Sequence, residues 1–265
     1  MGTITNVASR RFPALTAAAV VVSTAGFVAP APGGALPLPT CFDHTVTIFA
    51  VSGRAEGTPG SDVIKGTEQE DQISGLGGDD YICGLGGNDR IYGDGWATTG
   101  NDIIDGGPGA DDISGGSGSD TLYASRANVA DVVGDALRGN SGHDLLVGAG
   151  GDDYVLGGTG TDTLLGNGGP DELVSNENGT LGPDVASGGA GGDTLIGMGR
   201  ARFYGGEGDD YLTGGGESDE LFGEAGDDIF ECNDGTDVAD GGPGSDRLYW
   251  GDRFPTDCET LISIP

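Results

Sequence analysis

Apolar residues recur through most of the chain at a regular spacing, and each follows an aspartate by two positions. Most steps between successive aspartates are nine residues long. One short unit cannot bury an apolar face alone, so this period indicates repeats that stack on one another. The recurring apolar positions are Ile64, Ile73, Ile82, Ile91, Ile104, Ile113, Leu122, Leu146, Val155, Leu164, Leu173, Leu195, Leu212, Leu221, Phe230 and Leu248.

The repeated unit is clearest between Gly106 and Tyr123, where two consecutive copies read G-G-x-G-x-D-x-U-x, with U a large apolar residue. Glycines at positions 1, 2 and 4 permit backbone angles that side chains forbid, which predicts a tight turn. Positions 7 to 9 predict a short strand, with position 8 on one face and positions 7 and 9 on the other.

Two such units would make one coil, with a strand on each side and a turn at each edge. The predicted fold is therefore all-β: a parallel β-roll, or β-solenoid, of stacked 18-residue coils with two nonapeptides per coil, capped at both ends. About ten coils at ~4.8 Å each predict a rod roughly 50 Å long.

Three expanded units interrupt the period and predict loops at Trp96 to Thr99, near Asp135 to Arg138, and at Asn176 to Leu181. Counted from Asp62 with Asp131 as the eighth aspartate, all three are odd-numbered units, so we expect the loops on one edge. Loops on one face of a solenoid are often its binding face, although insertions without a role are the alternative. The expanded steps, each of thirteen residues, run from Asp89 to Asp102, Asp131 to Asp144 and Asp171 to Asp184.

Two further irregularities concern single positions. Arg202 occupies an aspartate position in a unit one residue short, so we expect a site to be missing near it. Position 9 is apolar in four successive units, at Val147, Leu156, Leu165 and Val174. Such a stripe can mark an association surface, or these residues can simply suit a strand.

The composition is acidic and rich in glycine. The 265 residues include 56 Gly, 43 Asp+Glu and 11 Lys+Arg, for a net charge of -32. This charge argues against binding to nucleic acid or anionic lipid, which requires basic patches, and favours a cationic partner. Composition alone is typical of disorder, but the period argues for order, with disorder expected in the absence of the cation.

The nonapeptide resembles the RTX, or haemolysin-type, calcium-binding repeat, and the resemblance covers roughly residues 57 to 249. It implies calcium ions between the turns of adjacent coils, each bridged by the position-6 aspartates of units n and n+2. Where glycine is lost, as at Thr58 or Gln69, the turn and its site are less well defined. The metal ligands that the resemblance implies are Asp62, Asp71, Asp80, Asp89, Asp102, Asp111, Asp120, Asp144, Asp153, Asp162, Asp171, Asp184, Asp193, Asp210, Asp219, Asp228, Asp237 and Asp246.

Calcium chemistry suits these turns, because Ca²⁺ takes six to eight oxygen ligands and glycine turns expose carbonyl oxygens beside the carboxylate. Magnesium requires a stricter octahedral geometry and is a poorer fit. Without the ion, columns of carboxylates repel one another, so binding free energy becomes folding free energy. We expect several Ca²⁺ ions as cofactors, and cooperative folding at roughly 10⁻⁴–10⁻³ M calcium.

No enzyme activity is expected. The sequence contains neither H-E-x-x-H nor G-x-S-x-G, and its only histidines are His44 and His143. The predicted function is a secreted calcium-binding protein. The alternatives are an extracellular adhesion or matrix module that presents the loops of one edge to a protein or glycan partner, and a non-catalytic remnant of an RTX toxin or hydrolase.

Residues 1–35 resemble an export signal, with Arg10-Arg11, an uncharged apolar run from Ala14 to Ala29 and small residues after it. A membrane anchor is the alternative, but the run is short for a span of ~20 residues. We expect a secreted, extracellular chain with no membrane span after cleavage, exported by the general or the twin-arginine route. The predicted domains are 1–35 export signal, 36–56 linker and cap strand, 57–249 β-roll and 250–265 C-terminal cap.

Four cysteines lie near the two ends of the repeats. Export to an oxidising compartment makes disulfides the default, and spacing favours Cys41–Cys83 and Cys232–Cys258. Thr45 to Val51 alternates as a β-strand would and could form the N-terminal cap. A zinc site is the alternative, but the chain has no C-x-x-C pair and little histidine.

Overall fold

The computed structural model describes residues 40–126, 131–175 and 183–249, together with the backbone of the strand Cys258–Ile262. The predicted export signal at 1–35, the predicted loop at Asn176 to Leu181 and most of the predicted C-terminal cap lie outside these residues.

The described chain consists of short β-strands in two long parallel sheets and one small hairpin. In the hairpin, β1 (Thr40–Cys41) pairs antiparallel with β2 (His44–Thr45). The twelve-stranded sheet contains β3 (Ile48–Phe49), β5 (Val63–Lys65), β7 (Tyr81–Cys83), β9 (Ile103–Asp105), β11 (Thr121–Tyr123), β13 (Leu145–Val147), β15 (Thr163–Gly168), β17 (Asp184–Ala190), β19 (Ala201–Glu207), β21 (Glu220–Ala225), β23 (Asp237–Asp240) and β25 (Cys258–Ile262). The eleven-stranded sheet contains β4 (Arg54–Glu56), β6 (Gln72–Leu76), β8 (Arg90–Asp94), β10 (Asp112–Ser117), β12 (Ala136–Gly142), β14 (Tyr154–Gly160), β16 (Glu172–Val174), β18 (Thr194–Ile196), β20 (Tyr211–Thr213), β22 (Ile229–Glu231) and β24 (Arg247–Leu248).

Successive strands of the chain alternate between the two sheets, and each pairs in parallel with the strand two further on. Ile64 pairs with Ile82, and Ile82 pairs with Ile104, so equivalent positions of neighbouring coils lie in register. The predicted fold class, a parallel β-solenoid of about 18-residue coils, is confirmed. Within the described residues no helix is long and apolar enough to cross a membrane.

The core is a column of position-8 side chains from both sheets. Each of the recurring isoleucines from Ile64 to Ile113 is fully buried, as are Leu122, Leu146 and Phe230. Irregular units also contribute to this column, through Leu137, Ala186, Phe203 and Ala239. One apolar side chain per nine ordered residues is a thin core, so interactions at the turns must contribute to stability.

The turns form two opposite edges. We call the first edge the turns that lead into the twelve-stranded sheet, and the second edge the turns that lead into the eleven-stranded sheet. The loop Trp96 to Thr99 precedes Asp102 and lies on the first edge. The insertion that follows Asp120 leads into β12 and lies on the second edge. The prediction that all three loops share one edge is therefore wrong.

The prediction took Asp131 as the eighth aspartate, whereas the structure places Asp135 at that position. Residues Ala136–Gly142 form a strand and not a loop. Leu137 fixes this register, because it fills the core and pairs with Ile113 on one side and Val155 on the other. Counting from Asp131 would bury Val133, which is 45 % exposed.

The apolar position-9 residues do not form one stripe. Val147 and Leu165 pair on the twelve-stranded sheet, whereas Leu156 and Val174 pair on the eleven-stranded sheet. The hypothesis of a single apolar stripe is wrong, because successive units lie on opposite faces of the solenoid.

The N-terminal hairpin is fixed to the outer face of the twelve-stranded sheet. The predicted Cys41–Cys83 disulfide is present, with a Cα–Cα distance of 5.9 Å. The His44 ring stacks on Tyr81 at 4.1 Å between centroids. Of the predicted strand Thr45 to Val51, only Ile48–Phe49 forms β3, which begins the sheet by pairing with β5.

At the other end, β25 closes the twelve-stranded sheet by pairing with β23. Cys232 is buried, but the side chain of Cys258 lies outside the described residues. The Cys232–Cys258 disulfide therefore stays a prediction.

Candidate metal centres

The position-6 aspartates form two buried columns, one along each edge, and each of these residues is at most 8 % exposed. All eighteen predicted ligands lie in these columns, and the structure adds Asp135. The first-edge column contains Asp62, Asp80, Asp102, Asp120, Asp144, Asp162, Asp184, Asp219 and Asp237. The second-edge column contains Asp71, Asp89, Asp111, Asp135, Asp153, Asp171, Asp193, Asp210, Asp228 and Asp246.

Hydrogen bonds connect each column along the solenoid. The backbone N–H of Asp62 donates to Oδ1 of Asp80 at 2.8 Å, and that of Asp102 donates to Oδ1 of Asp120 at 2.8 Å. The same bond joins the other pairs expected from the n and n+2 rule. Beyond Asp62 and Asp71, which begin the columns, Oδ1 of each of these acceptor carboxylates therefore holds the turn of the preceding coil.

The second oxygen, Oδ2, is buried and accepts no hydrogen bond in most of these turns. A buried carboxylate oxygen without a donor is costly, and its recurrence at equivalent positions points to a bound cation. Within the described ranges, the unpartnered Oδ2 atoms belong to Asp80, Asp89, Asp102, Asp111, Asp120, Asp135, Asp144, Asp162, Asp171, Asp193, Asp210, Asp228 and Asp246.

Position 1 of the unit shows where the cation would lie. A Cβ atom on Gly75 would lie 2.1 Å from Oδ2 of Asp80 and 2.5 Å from the carbonyl oxygen of Gly93 in the next coil. The carboxylate and the carbonyl of the neighbouring coil thus converge beside this glycine. Gly75 therefore has no room for a side chain, and Gly107 and Gly109, at positions 2 and 4 of their unit, adopt positive φ angles of 96° and 140° that favour glycine.

The donor set fits calcium. Within the described ranges, no three or more His, Cys, Asp or Glu side chains converge as a ready-made metal cluster. Two aspartates per site must therefore be completed by backbone carbonyl oxygens. A site made only of hard oxygen atoms is what Ca²⁺ prefers, whereas zinc favours sulfur and nitrogen ligands.

Burial disfavours the ionised form of these carboxylates and raises their pKa values when no cation is bound. Desolvation, together with the negative charges of Asp120 and Asp80, raises the pKa of Asp102 to about 8. The backbone hydrogen bond from Asp80 acts in the opposite direction. Burial likewise raises the pKa of Asp135 to about 8 and that of Asp144 to about 7. A positive ion between the coils would remove this penalty.

Among the turns that the structure describes, four show an Oδ2 atom satisfied within the same unit. Oδ2 of Asp62 accepts the backbone N–H of Thr58 at 2.6 Å and its hydroxyl at 2.8 Å. We call the four turns that end at Asp62, Asp71, Asp153 and Asp219 self-capped, because position 2 of the same unit donates to Oδ2 in each. The sequence-based doubt about the turn at Thr58 is consistent with this difference.

One aspartate position of the first edge lacks a carboxylate, and it is occupied by Ala201 rather than Arg202. The backbone N–H of Ala201 donates to Oδ1 of Asp219 at 2.7 Å, and Ala201 pairs with Asp184. Phe203 fills the core two residues later and so fixes this register. Arg202 lies at the next position and forms an ion pair with Glu220 at 2.7 Å.

A family model of the RTX calcium-binding nonapeptide repeat matches residues 56–95, 96–128, 135–173, 178–199, 202–231 and 233–249, which is more than half of the chain. The chain belongs to the RTX calcium-binding nonapeptide repeat family. No curated protein matches the chain significantly.

Membership in the RTX family supports calcium as the cation for these sites. Asp135 belongs to the second-edge column but was not among the predicted ligands, although its spacing from other residues identifies it. Asp135 precedes Leu137 by two positions, Asp144 by nine and Asp153 by eighteen. The residues before Asp135 lack the glycines of the repeat, so this spacing was not recognised as part of the series.

Proposed function

We propose that this chain is a secreted protein whose RTX repeats bind several calcium ions between adjacent coils, and that it folds when they bind. One observation carries the proposal: two columns of buried aspartates, most with an Oδ2 atom that has no hydrogen-bond donor. Ca²⁺ supplies what these atoms lack, because it binds six to eight oxygen atoms at 2.3–2.6 Å.

Each ion would connect two coils. At the turn ending at Asp80, the donors would be the Asp80 carboxylate, the Gly93 carbonyl oxygen and the carboxylate of Asp102 in the next coil. We place the sites at turns with an unpartnered Oδ2 and assign weaker or no binding to the self-capped turns.

Electrostatics couples binding to folding. The chain carries a net charge of -32, and folding without calcium would stack carboxylates at the spacing of neighbouring strands, ~4.8 Å. Their repulsion and desolvation oppose the fold, whereas each bound ion replaces both with attraction. The sites do not exist in the unfolded chain, so the binding energy drives folding.

Circular dichroism of the chain from residue 36 onward tests the coupling. We expect a disordered spectrum in EGTA and a β spectrum in millimolar calcium, with little effect of equimolar magnesium. Isothermal titration calorimetry should show several ions per chain and a midpoint of roughly 10⁻⁴–10⁻³ M. An identical β spectrum in EGTA and in calcium would refute folding on binding.

Secretion is proposed from the charged, apolar and small segments of residues 1–35. Mass spectrometry of the protein recovered outside the producing cells should show an N-terminus near residue 36. Recovery of only the full-length chain inside the cells would contradict secretion. We do not propose the adhesion function, because its basis was a set of loops on one edge.

A further inference from the structure

The first expanded turn, residues 93–101, carries a carboxylate that the repeat unit does not require. Asp94 follows the position-1 glycine Gly93 and therefore occupies position 2, which is glycine in the full repeat. It pairs with Leu76 of the preceding coil and lies opposite Gly116 of the following coil.

Asp94 is directed into the first edge rather than toward solvent. Its Oδ2 atom accepts the backbone N–H of Ser117 at 2.8 Å. A Cβ atom on Gly116 would lie only 2.6 Å from Cβ of Asp94, so the side chain packs directly on the next coil. Its Oδ1 atom is buried and has no hydrogen-bond partner.

Three column aspartates belong to the turns on either side of this carboxylate and to its own turn. Asp80, Asp102 and Asp120 are each at most 1 % exposed, and each has an unpartnered Oδ2 atom. Asp94 directly follows Gly93, where an added Cβ would lie 2.1 Å from Oδ2 of Asp102. The Oδ2 atom of Asp94 accepts the N–H of Ser117 in the turn that ends at Asp120. This stretch of the first edge therefore holds one more carboxylate than the column alone provides.

The added residues of the turn are held against the preceding coil and do not displace Asp94. The Thr98 hydroxyl accepts the Gly95 N–H at 2.8 Å and donates to the Leu76 carbonyl oxygen, which anchors the added residues to the preceding coil. Trp96 is fully exposed beside them.

We propose that Asp94 is an additional calcium ligand that makes the first expanded turn the tightest calcium site of the roll and the first to fill. The inference rests on the proposed calcium binding. Calcium affinity in protein loops rises with the charge of the ligand set, and Asp94 adds a charge and a free buried oxygen to the aspartate and carbonyl oxygens of this turn.

The competing role is structural: Asp94 could serve only to accept the Ser117 N–H. Asp94→Asn separates the two roles, because the amide oxygen keeps the acceptor but removes the charge. Asp209→Asn is the matched control, since the exposed Asp209 carboxylate accepts the Asp227 N–H at 2.9 Å on the second edge.

The experiment is calorimetric titration of calcium into the chain from residue 36 onward, repeated with terbium(III) as a luminescent calcium analogue. Trp96 lies two residues from Asp94 and should sensitise terbium bound at this turn. In the unsubstituted chain, Trp96-dependent luminescence should appear at the lowest terbium concentrations, and Trp96→Phe should abolish that early signal.

We expect Asp94→Asn to weaken the tightest class of calcium sites about tenfold or more and to delay the early luminescence. The other sites should keep their affinity, and Asp209→Asn should behave as the unsubstituted chain. An Asp94→Asn titration identical to that of the unsubstituted chain overturns the inference but leaves calcium binding intact. Absence of calcium binding in the unsubstituted chain overturns both.

Discussion

Protons should partly replace calcium in folding this chain. Burial raises the pKa of Asp102 from 3.8 to about 8 in the folded state. Below pH 3.8 the carboxyl group is neutral in both the folded and the unfolded chain, so it does not oppose folding. As the pH rises toward 8 it ionises in the unfolded chain first, and the folded state is progressively destabilised.

The magnitude is large for a single group. The difference between pKa 3.8 and about 8 corresponds to roughly 5–6 kcal/mol against the calcium-free fold at pH above 8. Asp135 opposes folding by a similar amount. A typical domain is stable by only about 5–15 kcal/mol. At pH 7 each of these two carboxylates opposes the calcium-free fold by roughly 4 kcal/mol, and together they are comparable with that stability.

The assay is far-UV circular dichroism of the chain from residue 36 onward in calcium-free buffer, from pH 8 down to pH 4. We expect β structure to appear on acidification, and we expect saturating calcium to hold the β spectrum constant over most of this range. Sedimentation velocity at each pH is the control, because acidification also removes the negative charge that keeps the chain soluble.

Two results would refute this reasoning. A calcium-free β spectrum at pH 8 would mean that the fold tolerates its buried carboxylates as anions. A chain that stays monomeric and disordered from pH 8 to pH 4 would mean that carboxylate ionisation is not what prevents folding.

Three experiments with substituted chains test the assignment of the columns and the space beside Gly75. Ala201→Asp should add one calcium ion per chain by calorimetry and lower the calcium midpoint of folding, because it completes the first-edge column; unchanged stoichiometry would contradict the register. Asp135→Asn should remove a site, whereas Asp131→Asn should not, and equal losses would show that the eighth aspartate is misassigned. Gly75→Ala should destabilise the calcium-bound roll by about 1–3 kcal/mol in thermal unfolding, whereas Gly216→Ala should be neutral because no atom lies within 4 Å of the added methyl group.

The regular part of the fold was predictable because one nine-residue period specifies both the core position and the turn of each unit. An aspartate and an apolar residue separated by two positions determine which side chain enters the core and which turn the carboxylate joins. Asp62 and Asp80 are adjacent for this reason. The Cys41–Cys83 disulfide was predictable because position 9 points outward from a sheet that begins near Cys41.

The irregular units were not predictable from aspartate spacing, because the core residue determines the register there. Leu137 places Asp135 in its column, and Phe203 places Ala201 rather than Arg202 in the gap. In both units the apolar residue that fixes the register lies two positions after the column position.

The detailed chemistry of the sites depends on contacts between coils and could not be read from one unit. The position-1 glycine looked like a backbone requirement, whereas Gly75 is constrained by Asp80 and by a carbonyl oxygen eighteen residues away. Asp94 precedes the predicted loop Trp96 to Thr99, and only its contact with Gly116 of the next coil places it inside the edge.

The hydrogen bonds between aspartates give the solenoid a direction. The backbone N–H of Asp62 finds its acceptor on Asp80, eighteen residues closer to the C-terminus, and the same polarity holds along both columns. If the chain is exported with its N-terminus first, the aspartate N–H groups of one coil find their acceptors only after the following coil has emerged. Removal of the last coil would leave Asp228 without an acceptor, whereas removal of the first would strand no backbone donor in the column.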